Sequence, residues 1–360
     1  MPAASVHALV IRRRYLGDVV LLGSVLRNLR LHWPDATLSV LTEAAYADVL
    51  ALNPDVNRAL TFPRGLGEWP GFIRALRAAG ITHVLDFDNT DKTALVSRLT
   101  GAAVRVTFDR ETNPFRHRWA YTGAAKVTNA FYTSEHITET YLSLLAPASV
   151  PVATREVRLV TRPADLAAVQ PFVGLPKSEI KNSRFRRVLV HPGSRSAFRL
   201  WPAERFAAVC DQLQDGLGAQ VFIVSGPGEQ ALVKEIRGLA QTHLVALEQR
   251  FTVGQFAALL TQFDVLLCHD SGPMHVAAAV GTPVVALFGS QNVAIWHPLG
   301  ERHVVLQTPL PCQCLGAAAP GPCVPTDSYR SYCVRKLEVP QVFEAVKATL
   351  ALGGGASAGR

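Results

Sequence analysis

The strongest constraint on the fold is a change of period that recurs along almost the whole chain. Short β-branched, apolar runs alternate with stretches whose apolar residues return every three or four positions. HALVIR (7–12) leads to an amphipathic stretch with Leu22, Val25, Leu26 and Leu29 on one face, then to TLSVLT (37–42), a β-α-β unit. The alternation continues through a helical run from Ala44, RALTF (58–62), a helix near Pro70–Ala79, HVLDF (83–87), a helix over Thr93–Leu99 and VRVTF (104–108). A second series follows a Pro-rich and basic region: RVLVH (187–191), a helix after Pro202, QVFIVS (220–225), a helix from Glu229, LVAL (244–247), a helix over Val253–Leu260, DVLLCH (264–269), a helix from Pro273 and PVVALF (283–288). Val339–Leu352 reads as a further helix, and GGGASAGR as a disordered tail.

Repeated strand–helix pairing implies a parallel sheet wrapped by helices. The expected fold is therefore α/β, with two Rossmann-like doubly wound domains facing a central cleft. The expected boundaries are 1–165 for the first domain, 166–187 for a linker, 188–338 for the second, 339–352 for a C-terminal helix and 353–360 for the tail. A length of 360 residues suits two domains at roughly 100–200 residues each. Apolar residues make up 49% of the chain, yet every apolar stretch is cut by Gly, Pro or a charge well before the roughly 18 residues a membrane span needs. The opening MPAASV runs straight into a strand without a basic-then-apolar leader, so a cytoplasmic protein is expected.

The net charge of +8 is concentrated at Arg12–Arg14, Arg116–Arg118 and Lys177–Arg187, which suits anionic ligands or an anionic membrane face as well as a plain soluble surface. Four of the six cysteines fall late, at Cys312, Cys314, Cys323 and Cys333. That spacing leaves a structural metal and plain loop thiols both open.

In doubly wound sheets ligands bind beyond the carboxyl ends of the strands, so the strand-to-helix turns carry the chemistry. CHDSGPMHVAAAVGTP (268–283) interrupts the core pattern with Asp270, Ser271, Gly272, Pro273 and His275. Asp270 and Ser271 are natural helix caps, whereas Gly272 lets backbone approach a ligand, and a helix start with free N–H groups suits a diphosphate. RRRYLGDVVL (12–21) has the same form: Gly17-Asp18 opens a helix, and Asp18 is either a first-turn acid or a general base. In HPGSRSAFRLWPAERF (191–206), Ser194, Arg195 and Arg199 offer hydroxyl and guanidinium donors to a phosphate. SGPGEQ (225–230) supplies Gly226, Gly228 and Glu229, whose carboxylate can accept the hydroxyls of a ribose or serve simply as a first-turn acid. No G-x-G-x-x-G dinucleotide fingerprint occurs at the first turn.

Together RRRYLGDVVL, HPGS with R-x-W-P-x-E-R-F, GPGE and DSGPMHVAAAVGTPVVALFG resemble glycosyltransferase family 9, the ADP-heptose:lipopolysaccharide heptosyltransferases, over roughly residues 7 to 350. NPDVNRAL (53–60), HVLDFDNTDKTALVSRLTGA (83–102) and HITETYLSLL (136–145) also resemble family features. The resemblance implies a GT-B architecture, with acceptor held mainly by the N-terminal half and sugar nucleotide mainly by the C-terminal half. It implies that Asp18 deprotonates the acceptor hydroxyl and that Arg199 meets the diphosphate. Ser194 matches a hydroxyl residue of the same loop, Glu229 a ribose-binding acid, and Asp270, Ser271, Gly272 and His275 the donor-site turn. The family commonly carries Lys at the position of Arg199 and C-x-x-C where this chain has C-x-C.

The expected reaction is an inverting sugar transfer from an ADP-sugar to a lipid-linked or phosphorylated glycan at the inner membrane face. No metal or cofactor is required, nucleic acid is not a partner, and the protein works as a monomer. A sugar-nucleotide epimerase of the same fold and a non-enzymatic polyanion-binding protein are the alternatives.

Overall fold

The structure is a computed structural model that describes residues 6–112, 115, 117–174, 186–195, 199–289, 291–308, 334 and 337–353. It divides into two compact units, the first ending at Val160 and the second starting at Thr161.

The first unit is built on β1 (His7–Ile11), β2 (Thr37–Thr42), β3 (Arg58–Thr61), β4 (His83–Asp86), β5 (Val104–Arg110) and β6 (Gly123–Val127). Their order is β3-β2-β1-β4-β5-β6, all parallel. Every residue of β1 is buried, as expected for a central strand covered on both faces, whereas β3 at the edge is largely exposed. Helices α1 (Leu16–Leu21), α2 (Gly23–His32), α3 (Trp69–Ala78), α4 (Asp91–Leu99), α5 (Asn129–Ser134) and α6 (Ile137–Ser143) connect or follow the strands. The predicted amphipathic face is real: Leu22, Val25, Leu26 and Leu29 are all fully buried. The run from Ala44 differs from expectation, forming two short 3-10 turns (Ala44–Tyr46, Asp48–Leu52) instead of one helix. Asn53 stops the second turn, and its side chain accepts the Asp55 N–H at 2.9 Å, a local bond that competes with further helix.

The second unit repeats the plan with β7 (Arg187–His191), β8 (Gln220–Val224), β9 (Val245–Leu247), β10 (Val265–His269), β11 (Val284–Phe288) and β12 (Val304–Gln307). The order is β12-β11-β10-β7-β8-β9, again parallel, with β7, β10 and β11 entirely buried. Its helices are α7 (Pro163–Val173), α8 (Ala203–Leu217), α9 (Gln230–Leu239), α10 (Val253–Leu260), α11 (Gly272–Ala279) and α12 (Val293–Trp296), followed by a C-terminal helix over Val339–Gly353. One core joins Val188, Val190, Trp201, Phe206, Leu267 and Leu287 to Val342, Val346 and Leu350 of that last helix. Burying each such side chain contributes about 1.5–3 kcal/mol.

Helix α7 occupies the first part of the stretch expected to act as linker. It starts at Pro163, whose fixed φ suits a first helical position, and it packs against α10. Gly254 permits the contact, since a Cβ there would lie 2.5 Å from the Arg162 guanidinium and 2.7 Å from the Asp165 carboxylate. Residues 175–185 and the glycine-rich tail from 354 lie outside the described residues. Among the described residues no helix is long and apolar enough to cross a membrane.

Both sheets reverse direction of winding at their centre, between β1 and β4 in one unit and between β7 and β10 in the other. Such switch points open a crevice beyond the carboxyl ends of the strands, which is where ligands bind in this class of sheet.

Candidate active site

In the first unit the chain leaves β1 at Ile11 and turns into α1 after four residues, which places Asp18 in the helix's first turn. Its carboxylate reaches back to accept the Tyr15 N–H at 3.1 Å, the reciprocal half of a capping box. First-turn capping is thus part of what Asp18 does, but not all. Its Oδ1 also accepts a short hydrogen bond from the Arg12 guanidinium and, at 2.5 Å, the hydroxyl proton of Tyr141 from α6. Asp18 is 6% exposed and Tyr141 is fully buried. Gly17 precedes Asp18 in the same turn and is buried.

Arg12 spans the switch point. Besides Asp18 it donates to Asp88 Oδ1 and to the Phe87 carbonyl, both at 3.1 Å and both just beyond β4. Burial opposes the charge on Arg12, but the oxygens of Tyr141, Asp18 and Asp88 around it more than restore it, and the guanidinium stays protonated. Asp88 also accepts the Arg13 N–H at 2.6 Å. Burial, aided by the neighbouring Asp86, nonetheless pushes its carboxyl up to about 6 against the pull of Arg12. Asp86 is wholly buried, and burial raises it too, although Tyr121 donates its hydroxyl at 2.5 Å and the Asp88 and Asn89 amides donate at 2.9 and 3.2 Å.

In the second unit three adjacent strand ends contribute. Beyond β10, Asp270 is 6% exposed and accepts from Arg199 Nη1 at 3.1 Å, while its carbonyl accepts from the same nitrogen at 3.4 Å. Burial pushes the Asp270 carboxyl up to about 6, with Arg199 opposing. Ser271 stands at the N-cap of α11 but makes no cap hydrogen bond, since its hydroxyl donates to the His269 carbonyl at 3.3 Å. The expectation that Asp270 and Ser271 serve as caps is therefore corrected at Ser271: its hydroxyl bonds back towards the strand. Gly272 begins the helix, and His275 is buried one turn on.

Beyond β8, Glu229 accepts the Gly226 N–H at 2.7 Å, and its Oε2 lies 3.6 Å from Nε2 of the buried His191 at the end of β7. Gly193 makes this possible, because a Cβ there would collide with the Glu229 carboxylate. Burial lowers the pKa of His191, with Glu229 acting the other way. Ser194 is half-buried and Arg195 exposed in the same loop after β7. The structure thus brings Arg199 to Asp270, and Glu229 to His191 and Gly193.

Four contributors were not singled out in the sequence as site residues: Arg12, Asp88, Tyr141 and His269. Arg12 stood out only as charge, and Tyr141 only within a longer segment, because neither carries a local signal of its partner. His269 is fully buried and accepts the Trp201 N–H on Nε2 at 2.8 Å, so its ring proton sits on Nδ1. Burial above all drives its pKa down to about 3, keeping it neutral while it anchors the chain two residues after Arg199. Among the described residues no group of three or more His, Cys, Asp or Glu is arranged to hold a metal ion. Cys312, Cys314, Cys323 and Cys333 lie outside the described residues.

Comparison with known proteins identifies the family and the fold. The sequence profile of glycosyltransferase family 9 (heptosyltransferase) matches residues 69–318. Lipopolysaccharide heptosyltransferase 3 of Escherichia coli is 26% identical over 304 residues, covering 81% of this chain and 86% of that protein. The structure of E. coli ADP-heptose lps heptosyltransferase II superposes with a TM-score of 0.78 at 20% identity, covering 97% of this chain and 100% of that one. E. coli heptosyltransferase WaaC with ADP gives a TM-score of 0.72 at 16% identity, covering 95% of this chain and 99% of that one. The two parallel sheets with one strand order are those of a GT-B enzyme, and this chain belongs to glycosyltransferase family 9, the heptosyltransferases.

Proposed function

We propose that the protein transfers a heptose or related sugar from an ADP-sugar to a lipopolysaccharide inner-core or similar phosphorylated glycan, with inversion at the anomeric carbon. Asp18 takes the proton of the acceptor hydroxyl as that oxygen attacks, and ADP leaves from the opposite face. The charge developing on the diphosphate is met by Arg199, by the backbone N–H groups at Ser271–Gly272 and by Arg195, a preorganised set of donors. Ser194 hydrogen-bonds phosphate, Glu229 takes the ribose hydroxyls, and Asp270 with His275 lines the sugar. The reaction is placed in the cytoplasm, where the acceptor is reached at the inner face of the membrane.

The observation that carries this reading is the state of the Asp18 carboxylate. Oδ1 accepts from both Arg12 and Tyr141, while Oδ2 holds one bond, from the Tyr15 amide, and keeps a lone pair for a substrate proton. The ADP bound by E. coli WaaC supports adenine as the donor base.

Two measurements test the proposal. Calorimetric titration with a panel of nucleoside diphosphates should rank ADP above UDP and GDP, and a uridine preference would overturn the donor assignment. Asp18→Asn should leave ADP binding within a few-fold of the parent protein while turnover falls by about 10²–10⁴-fold, the usual contribution of a positioned base. Turnover near the parent value would remove Asp18 from that role.

A further inference from the structure

Tyr141 lies 123 residues from Asp18 in sequence, is fully buried in α6, and spends its hydroxyl on that one carboxylate oxygen at 2.5 Å. The ring is held on two sides. Phe87, beyond β4, meets it edge-on at a centroid separation of 5.4 Å, and the Arg12 guanidinium carbon lies 5.6 Å from its centroid. A phenol locked in this way cannot swing to another acceptor without repacking the core around it.

We propose that Tyr141 is a positioning residue for the transfer reaction: by filling the second lone pair of Asp18 Oδ1, it fixes the rotation of the carboxylate and makes Oδ2 the proton-accepting atom. This rests on Asp18 as the base. Arg12 alone does not achieve the same end, because its guanidinium is shared among Asp18, Asp88 and the Phe87 carbonyl. A hydroxyl with a single acceptor removes the remaining freedom. The charged and titratable groups around the pair are Arg12 after β1, Asp88 after β4, and Arg110 of β5, whose charge acts on Tyr141.

The test is Tyr141→Phe, which keeps the ring and its packing and removes only the donor. Freed of that donor, the carboxylate loses its fixed orientation, so kcat should fall by about ten- to a hundredfold while KM for the ADP-sugar stays within about twofold. Thermal unfolding of the same variant reports any general loss of packing, which would not be confined to kcat. A kcat equal to the parent's in a normally folded Tyr141→Phe overturns the proposal. Failure of Asp18→Asn to lose turnover would instead remove the base assignment, whereas loss of turnover in Asp18→Asn with none in Tyr141→Phe removes only the positioning role, so the two readings fail separately.

Discussion

The two switch points are built alike and finished differently. In each, an arginine from the segment after the sheet's first strand pairs with an aspartate just beyond its fourth: Arg12 with Asp88 in the first unit, Arg199 with Asp270 in the second. In both pairs burial overcomes the arginine and leaves the carboxyl near 6. The helix that follows tells them apart. In the first unit α4 is closed by a full capping box, Thr90 accepting from the Thr93 amide while the Thr93 hydroxyl answers at the Thr90 N–H. In the second, the Ser271 hydroxyl bonds away from α11. One helix start is capped by a side chain of its own first turn, and the other has no side-chain cap. Among the described residues, the first unit adds a second carboxylate on the same arginine, Asp18, that has no counterpart at Arg199. One topology thus carries a carboxylate held by an arginine and a tyrosine in one copy and a helix start without a side-chain cap in the other.

The contrast is broken most directly by removing the second unit's arginine. Arg199→Ala should lower turnover by about 10²–10³-fold, the range seen for losing one transition-state donor, and should weaken ADP binding as well. Asp18→Asn should spare ADP binding. If both variants bound ADP like the parent, the division of labour between the units would fall.

A smaller effect concerns the raised carboxyls. An ordinary aspartate titrates near 3.9 when unfolded, and Asp270 near 6 when folded, so the folded state binds more protons between those values. Stability from this group is therefore fully present below about pH 4 and is lost as pH rises through about 6. Asp270→Asn, which mimics the protonated form, should gain on the parent by about 1–2 kcal/mol between pH 4.5 and 7.5 in denaturant titrations. Asp88→Asn should show the same sign in the first unit. A difference independent of pH would mean that the pairing arginines outweigh burial after all.

The smallest effect separates the two helix starts. Thr90→Ala removes a working cap and should cost about 1 kcal/mol, whereas Ser271→Ala should cost under about 0.5 kcal/mol, measured by the same titrations. Equal costs would show that Ser271 caps α11 in solution and that the anion site is not open.

Much of this was legible in the residues. The period changes located ten of the twelve strands among the described residues, and GD and DSGPMH pointed to the turns that meet the switch points. The two strands passed over, β6 and β12, are sheet edges whose half-exposed residues carry weak alternation. Most of helix α7 was passed over as linker because the Pro-rich region around it reads locally as a break, while the packing against α10 that sustains it is a tertiary matter.

By itself the sequence determined ten of the described strands, most of the helices between them and which turns carry polar side chains, because period and turn chemistry are short-range properties of the backbone. Partnership was decided only in three dimensions. Arg12 meets Asp88 across 76 positions, Tyr141 meets Asp18 across 123, and Trp201 meets His269 across 68. Strand order sets those encounters, and strand order is a property of the whole sheet that no local pattern records.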